Sequence, residues 1–104
     1  MSGPDLTIVR EFKRRAEAAL PGRIAHVLLF GSRARGDARA DSDWDIAVFV
    51  HDRPTPNDWR KLGAISFDMT AEIGLLVQFI LLPLARMNDG SALTTSVAED
   101  GIAA

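Results

Sequence analysis

Three short apolar runs stand out along the chain, and each has the length and composition of a buried β-strand. The runs cover residues 27 to 30, 45 to 50 and 75 to 82, and they are rich in Val, Ile, Leu and Phe. Runs of about four to eight such residues, bounded by glycine, proline or polar residues, favour strands over helices. The third run is apolar on both faces apart from Gln78, which predicts a strand inside the sheet.

Helical periodicity separates and flanks these runs. Residues 5 to 20 repeat apolar side chains at intervals of three and four, and Pro21-Gly22 ends that helix. The segment from residue 91 to residue 100 predicts a last helix, with Gly101 as its C-terminal cap. The chain therefore alternates between helical and extended segments.

The helix between the second and third runs has the clearest start signal. Thr55 is the predicted N-cap, Pro56 takes the first helical position, and Asp58 stands where a capping box needs an acidic partner. Gly74 ends this helix. Its predicted inward face consists of Trp59, Leu62, Ile65, Ser66, Met69 and Ile73.

Strands that alternate with helices indicate an α/β fold, a small sheet of about three main strands with helices packed on it. The chain has 104 residues, of which 47% are hydrophobic, and this is enough for a single core. We therefore expect one domain covering residues 1 to 104, with a radius of gyration of about 13 Å.

Composition excludes several classes of function. A formal net charge of -2 gives no overall attraction for nucleic acid, so a nucleic-acid partner is unsupported. The absence of cysteine rules out disulfides, thiolate nucleophiles and cysteine-based zinc sites. The longest apolar run, residues 75 to 84, is interrupted by Gln78 and Pro83 and is too short to span a bilayer, and the N-terminus has no long apolar stretch. We expect a cytoplasmic protein without membrane contact.

The turn after the first strand is a candidate phosphate site. Gly31 allows the backbone to turn tightly, and Ser32 is a suitable N-cap for a short helix through Arg35. Free backbone N–H groups would then lie just past the strand, where phosphate oxygens bind readily. Arg33 and Arg35 follow directly, and charges of this kind usually belong to a solvated face.

A pair of aspartates opens the second strand and is a candidate metal site. Asp43 leads into the strand and Asp45 begins it, so both side chains point to the same face. Two steps of strand rise separate their Cα atoms by roughly 6 to 7 Å. Their carboxylates would bind one divalent ion or bracket two about 4 Å apart, and magnesium commonly keeps substrate phosphates among its oxygen ligands. The alternative is an ordinary solvated loop end.

In combination, these residues resemble the signature of the minimal nucleotidyltransferases, the small members of the polymerase-beta-like superfamily. The signature is Gly31-Ser32, ten residues, and then Asp43-x-Asp45, and both flanks agree with it. The resemblance covers most of the chain and implies a nucleotidyltransferase fold, with a mixed sheet and an active site along its edge. It also implies that Asp43 and Asp45 are catalytic and bind magnesium, as two ions in the active form.

The resemblance further implies a substrate and a partner. Gly31 and Ser32 would hold the triphosphate of a nucleotide, expected to be ATP, with Arg33 or Arg35 nearby. A partner hydroxyl would attack the α-phosphate, take up AMP and release pyrophosphate. Small members of the family often accompany a HEPN-domain ribonuclease toxin as its antitoxin, in some cases by adenylylating it. A HEPN-type protein partner is therefore expected.

Gln78 departs from the family pattern. The third strand of the family usually carries a third acidic residue, which faces the Asp pair, helps to hold the metal and assists deprotonation of the attacking hydroxyl. An amide offers one oxygen but no negative charge, and it accepts no proton at useful pH. Neither Glu72 nor Asp68 is placed to replace it. One alternative for Gln78 is a buried structural amide. The alternative for the protein as a whole is a non-catalytic antitoxin or interaction module that has lost its third carboxylate.

Overall fold

The computed structural model describes residues 5 to 87 and 89 to 104, and for residues 92, 93 and 96 the backbone alone. It confirms the expected α/β class, with one more strand than the sequence predicted. The elements in chain order are α1 (Thr7–Ala19), β1 (Ile24–Phe30), α2 (Ser32–Arg35), β2 (Trp44–Val50), α3 (Pro56–Ile73), β3 (Val77–Pro83), a 3-10 turn (Leu84–Arg86), α4 (Ala92–Asp100) and β4 (Ile102–Ala103).

The strands form one mixed sheet in the order β3-β2-β1-β4. β2 runs parallel to β3, whereas β1 is antiparallel to both β2 and β4. The prediction that the third run lies inside the sheet is wrong, because β3 pairs only with β2 among the described residues. The reason is that an apolar pattern shows which faces of a strand are covered, and not whether both of its edges are paired. Both faces of β3 contact apolar clusters, but only one of its edges pairs with a strand of the described chain.

The two faces of the sheet differ in their cover. The helix face, which packs against α1 and α3, carries the larger core, including Ile46, Val48 and Val50 of β2. The opposite face, called the α4 face below, carries a smaller cluster of Ala47, Phe49 and Leu82 with Val97 of α4. Because side chains alternate along a strand, Asp45 shares the α4 face with this second cluster.

Helix α3 follows its predicted boundaries, and Leu62, Ile65 and Met69 are buried as expected. Trp59 is the exception, since 49% of its surface is exposed. Its ring lies 5.6 Å from the ring of Phe79 on β3, at the outer side of the sheet. The prediction of Trp59 as a core residue is wrong because the helix overlies an edge strand at this point. None of the helices in the described ranges is long and apolar enough to cross a membrane.

The start of α3 is joined to the residue before β1 by an ion pair whose carboxylate is buried and whose guanidinium is partly exposed. The predicted capping box is confirmed: the Asp58 N–H donates to Thr55 Oγ1 at 3.1 Å, and the Thr55 N–H donates to Asp58 Oδ2 at 2.9 Å. Arg23 donates to both Asp58 oxygens at 2.7 Å, and Asp58 is fully buried. The Arg23 guanidinium beside Asp58 lowers the pKa of that carboxyl below its usual value.

We expect Asp58→Asn to lower the free energy of unfolding by about 3 kcal/mol at pH 7, because it removes the buried carboxylate of this ion pair and leaves the partly exposed Arg23 charge without its partner. Since the pKa of Asp58 is lower in the folded than in the unfolded chain, ionised Asp58 stabilises the fold above about pH 4, and this contribution is lost as the pH falls through the lowered pKa. Urea unfolding of both proteins from pH 7 to pH 2 should therefore show the difference shrinking below pH 4. Asp68→Asn, an exposed carboxylate on the same helix, is the control. A difference independent of pH would contradict this role.

Candidate nucleotide and metal site

Three strand ends that carry the candidate residues meet at one end of the sheet. β1 ends at this point, and both β2 and β3 begin there, because β1 is antiparallel to β2 and β2 is parallel to β3. In this register Asp45 lies between Phe30 on one side and Gln78 on the other. The sheet therefore brings together Gly31, Asp45 and Gln78, which are far apart along the sequence.

Gly31 is required by its conformation and by its neighbour. Its backbone has φ 77° and ψ -158°, a region that only glycine adopts without strain. A Cβ atom at this position would also lie closer than 3.0 Å to Asp45 Oδ2. The sequence predicted the turn, but the approach of the Asp45 carboxylate to it depends on the strand register.

Ser32 has a different place from the one predicted. It is the first residue of α2, and Gly31 occupies the N-cap position without any side-chain cap. The N–H groups of Ala34 and Arg35 donate to the Gly31 carbonyl, each at 3.1 Å. Within the described contacts, the N–H groups of Ser32 and Arg33 are the ones left for a ligand. The prediction of Ser32 as N-cap is wrong because the positive φ that begins this helix needs glycine.

Arg33 holds the loop that leads to the aspartates. Its guanidinium lies 4.1 Å from the centre of the Trp44 ring. It also donates to the Ser42 carbonyl at 3.1 and 2.7 Å and to the Ala40 carbonyl at 3.2 Å. These contacts fix the segment just before Asp43 against the start of β2.

Arg35 contacts two carboxylates in the described chain. Its Nε donates to Asp37 Oδ2 and its Nη1 to Asp100 Oδ2, both at 3.2 Å. These two acids raise the pKa of Arg35 above its usual value. Arg35 is exposed, so its charge is also accessible to an anion at the turn.

Gln78 contacts Asp45 directly. Its Nε2 donates to Asp45 Oδ1 at 2.6 Å, and its side chain is exposed. The alternative that Gln78 is a buried amide is therefore wrong, because β3 lies at the edge of the sheet. One oxygen of Asp45 thus accepts from an amide while the other lies against Gly31. Asp43 is exposed in the loop immediately before β2.

The donor set at this end of the sheet suits a magnesium ion in part. Asp43 and Asp45 provide the oxygen ligands that Mg²⁺ prefers, and this ion usually keeps waters and substrate phosphates as further ligands. No group of three or more His, Cys, Asp or Glu side chains placed to hold a metal occurs within residues 5 to 87 and 89 to 104. As the sequence indicated, Glu72 does not supply a third carboxylate, since it pairs with Arg15 at 2.7 Å.

Comparison with known proteins shows the family to which the chain is similar. The family described as Polymerase beta, Nucleotidyltransferase, matches residues 12 to 88. A protein of Methanocaldococcus jannaschii, provisionally named a protein adenylyltransferase, is 32% identical over 76 residues, which cover 73% of this chain and 77% of that protein. The range that the family model matches therefore covers the Gly31 turn, both aspartates and Gln78.

Solved structures show the same fold at lower sequence identity. A crystal structure of a provisionally assigned nucleotidyltransferase from Sulfolobus solfataricus has a TM-score of 0.65 and 21% identity, and the alignment covers 94% of this chain and 77% of that one. A complex of a tri-AMPylated HEPN toxin with an MNT antitoxin from Shewanella oneidensis has a TM-score of 0.54 and 16% identity, covering 92% and 67%. The mixed sheet with helices is therefore the nucleotidyltransferase fold expected from the sequence.

We expect Gly31→Ala to destabilise the protein more than Gly36→Ala. Both glycines have positive φ, but a Cβ at position 36 would meet nothing within 4 Å. Gly36→Ala, the control, should lower the free energy of unfolding by about 1 to 2 kcal/mol, because alanine is strained in the left-handed backbone conformation. Gly31→Ala should lower it by about 3 kcal/mol, because its Cβ also displaces Asp45. Urea unfolding measures the losses, and the NMR signals of the Gln78 side-chain amide should shift only in Gly31→Ala. Equal losses with unchanged Gln78 signals would contradict the close approach.

Proposed function

This chain belongs to the polymerase beta nucleotidyltransferase family and has an MNT-type domain, and we propose from that premise that it transfers AMP from ATP, with magnesium, to a hydroxyl group of a partner protein. The proposal rests on one observation above all: the Asp45 carboxylate lies against the Gly31 turn at the common end of three strands. A triphosphate at the turn would thus adjoin the aspartate pair. We further propose that residues 1 to 104 act as one domain.

Each residue of the site has a proposed role. The N–H groups of Ser32 and Arg33 would bind phosphate oxygens, since the start of a helix favours anions, and Gly31 leaves room for the approach. Asp43 and Asp45 would hold the magnesium, as two ions in the active form. Bound magnesium would neutralise phosphate charge as the α-phosphate is attacked. The exposed Arg35 would exchange part of its pairing with Asp37 and Asp100 for the triphosphate.

The reaction requires an acceptor hydroxyl. Its oxygen would bond to the α-phosphorus while the bond from that phosphorus to the bridging oxygen breaks, which releases pyrophosphate. Gln78 accepts no proton at neutral pH, so the hydroxyl proton would pass to a site carboxylate or to water. A general base typically raises the reaction rate 10²- to 10⁴-fold. We therefore expect transfer to be slower than in a relative that has an acid at this position.

A protein acceptor has two lines of support. The Methanocaldococcus jannaschii relative is named as a protein adenylyltransferase, and the Shewanella oneidensis complex joins an AMPylated HEPN toxin to an MNT antitoxin. We therefore propose a HEPN-type toxin as partner and acceptor, with this chain as its antitoxin.

The hydrogen bond from Gln78 to Asp45 favours a second candidate function. An amide nitrogen that donates to Asp45 Oδ1 at 2.6 Å satisfies part of the carboxylate that a metal would otherwise use. In this second proposal, the protein neutralises its partner by contact and retains at most nucleotide binding.

Calorimetric titration of ATP with and without magnesium tests the shared site. We expect binding that needs magnesium, a loss of at least tenfold in affinity in Asp45→Asn, and no change in Asp68→Asn, which removes an exposed carboxylate on α3. Gln78→Glu adds a carboxylate beside Asp45 and should strengthen magnesium-dependent binding, since a cation relieves the repulsion between the two acids. Binding without magnesium and unaffected by Asp45→Asn would contradict the proposed site.

Transfer of labelled AMP to a purified HEPN-type partner separates the two candidates. Transfer by the wild type that increases in Gln78→Glu and is lost in Asp45→Asn supports the enzyme. Neutralisation of the partner that survives Asp45→Asn, without any labelling, supports the contact module and contradicts the transferase.

A further inference from the structure

Asp43 is exposed, but the backbone on both sides of it is anchored. On its C-terminal side, the Trp44 N–H donates to the Leu76 carbonyl at 2.9 Å, where β2 begins to pair with β3. On its N-terminal side, the Ser42 carbonyl accepts two hydrogen bonds from the Arg33 guanidinium, at 3.1 and 2.7 Å. The position of this aspartate therefore depends on Arg33 as well as on the sheet.

The loop that leads to Asp43 contains a turn of its own. The Arg39 N–H donates to Ser42 Oγ at 2.8 Å, and the Ser42 N–H donates to the Arg39 carbonyl at 3.1 Å. Both bonds join residues 39 and 42, so they shape the turn without attaching it to the rest of the molecule. Among the described hydrogen bonds, those from Arg33 to the Ser42 and Ala40 carbonyls are the ones that attach the turn to α2.

The Arg33 side chain is directed away from the proposed triphosphate position. Its guanidinium lies 4.1 Å from the centre of the Trp44 ring, and Trp44 belongs to the core on the helix face of the sheet. Because side chains alternate along a strand, Asp45 lies on the α4 face, where its carboxylate approaches Gly31. The Arg33 guanidinium and the Asp45 carboxylate therefore lie toward opposite faces of the sheet.

Arg35 has different surroundings from Arg33, although a single residue separates them. Arg35 is exposed and pairs with the carboxylates of Asp37 and Asp100, and surface ion pairs of this kind are weak enough to exchange for another anion. Arg33 is partly buried, donates to backbone carbonyls and stacks on an aromatic ring. A planar guanidinium makes all of these contacts at once, whereas an ammonium group does not. Of the two side chains, that of Arg35 is therefore the one available to a triphosphate.

We propose that Arg33 is a positioning residue: its side chain sets the place of Asp43 and, through Asp43, the affinity for the metal, and it makes no contact with the triphosphate. This assignment rests on the proposed function, since it concerns the metal and the nucleotide of the same site. The Arg33 backbone N–H remains one of the proposed phosphate donors, so a single residue connects the proposed phosphate and metal positions. Removing a group that orients a metal ligand typically weakens metal binding by about 10- to 100-fold.

Calorimetric titration of ATP with magnesium into Arg33→Gln, Asp43→Asn and the double variant tests this role. We expect each single substitution to weaken binding about tenfold or more. In the Asp43→Asn background, Arg33→Gln should weaken binding by less than about twofold, because the residue through which it acts is already lost. Equal fold losses from Arg33→Gln in both backgrounds would overturn the proposal, since a direct phosphate ligand gives that result.

Arg33→Lys and Arg39→Gln separate the position of the guanidinium from its charge. Lysine keeps the charge but cannot stack on Trp44 and bind two carbonyls together, so Arg33→Lys should weaken binding nearly as much as Arg33→Gln. Arg39 is an exposed arginine of the same loop whose backbone makes the turn, and Arg39→Gln should leave the affinity unchanged. Full affinity in Arg33→Lys would overturn the proposal, because the charge alone would then be sufficient.

The magnesium dependence of binding distinguishes positioning from a general loss of stability. We expect Arg33→Gln to need about tenfold more magnesium than the wild type for half-maximal binding of ATP, so that raised magnesium restores most of its affinity. Arg35→Gln removes a proposed phosphate contact, and raised magnesium should not restore its affinity. A deficit in Arg33→Gln that magnesium leaves unchanged would contradict the role of Arg33 in metal binding.

NMR relaxation without nucleotide tests the anchoring of the loop itself. We expect the backbone order parameters of Ser42 and Asp43 to fall from about 0.85 in the wild type to below about 0.6 in Arg33→Gln, while those of β2 stay the same. Arg33→Lys, which keeps the aliphatic stem beside Trp44, serves the same test if Arg33→Gln does not fold.

The two measurements separate the fate of this inference from that of the proposed function. A wild type that binds no ATP with magnesium would refute the proposed function, and the relaxation data would still decide whether Arg33 anchors Asp43. Unchanged order parameters in a folded Arg33 variant would overturn the positioning role, even where the wild type binds ATP as proposed.

Discussion

The contact between Asp45 and the Gly31 turn is the constraint on which the account of this protein depends. It requires a residue without a Cβ at position 31, because a side chain there would collide with the carboxylate. It also requires a strand register that brings the end of β1 beside the start of β2. The large core on the helix face holds these strands, and Arg33 fixes the intervening loop through carbonyl groups and the Trp44 ring. The turn that we propose binds phosphate and the Asp45 carboxylate thereby become neighbours.

Gln78 determines how far this arrangement supports catalysis. In place of a third carboxylate, the site has an amide whose nitrogen donates to Asp45. The net negative charge at the proposed metal position is smaller by one than with a third carboxylate, which would weaken the attraction for a divalent cation, and the amide offers no base for an acceptor hydroxyl. The proposed nucleotide binding would survive this change more easily than the proposed transfer, because binding would use the turn and two acids whereas transfer would also need a proton acceptor. The two proposed functions differ in this respect alone.

The sequence predicted the parts of the fold that depend on local chemistry. The α3 capping box follows from Thr55 and Asp58 alone, and the spacing of Gly31 from the two aspartates indicated the family. The errors concern features that depend on distant parts of the chain. β3 was expected inside the sheet because its apolar residues report covered faces, whereas its edge position depends on the strand order, in which β2 lies between β3 and β1. The same cause explains Trp59, which was expected in the core, and it rules out the alternative of a buried amide at Gln78, since both residues lie at that edge. The bond between Gln78 and Asp45 could not be predicted, because it requires the parallel register of β2 and β3.

An NMR titration of the protein with ATP, using Mn²⁺ in place of Mg²⁺, would locate the proposed nucleotide and metal site directly. A paramagnetic ion broadens the signals of nuclei close to it, so the affected amides locate the bound ion without requiring any acceptor or activity. We expect broadening to begin at Gly31 and Ser32, at Asp43 to Asp45 and at Gln78, and to require ATP together with the ion. Broadening centred elsewhere, or none at these strand ends at saturating ATP, would contradict the claim that the Gly31 turn and Asp45 form the nucleotide site.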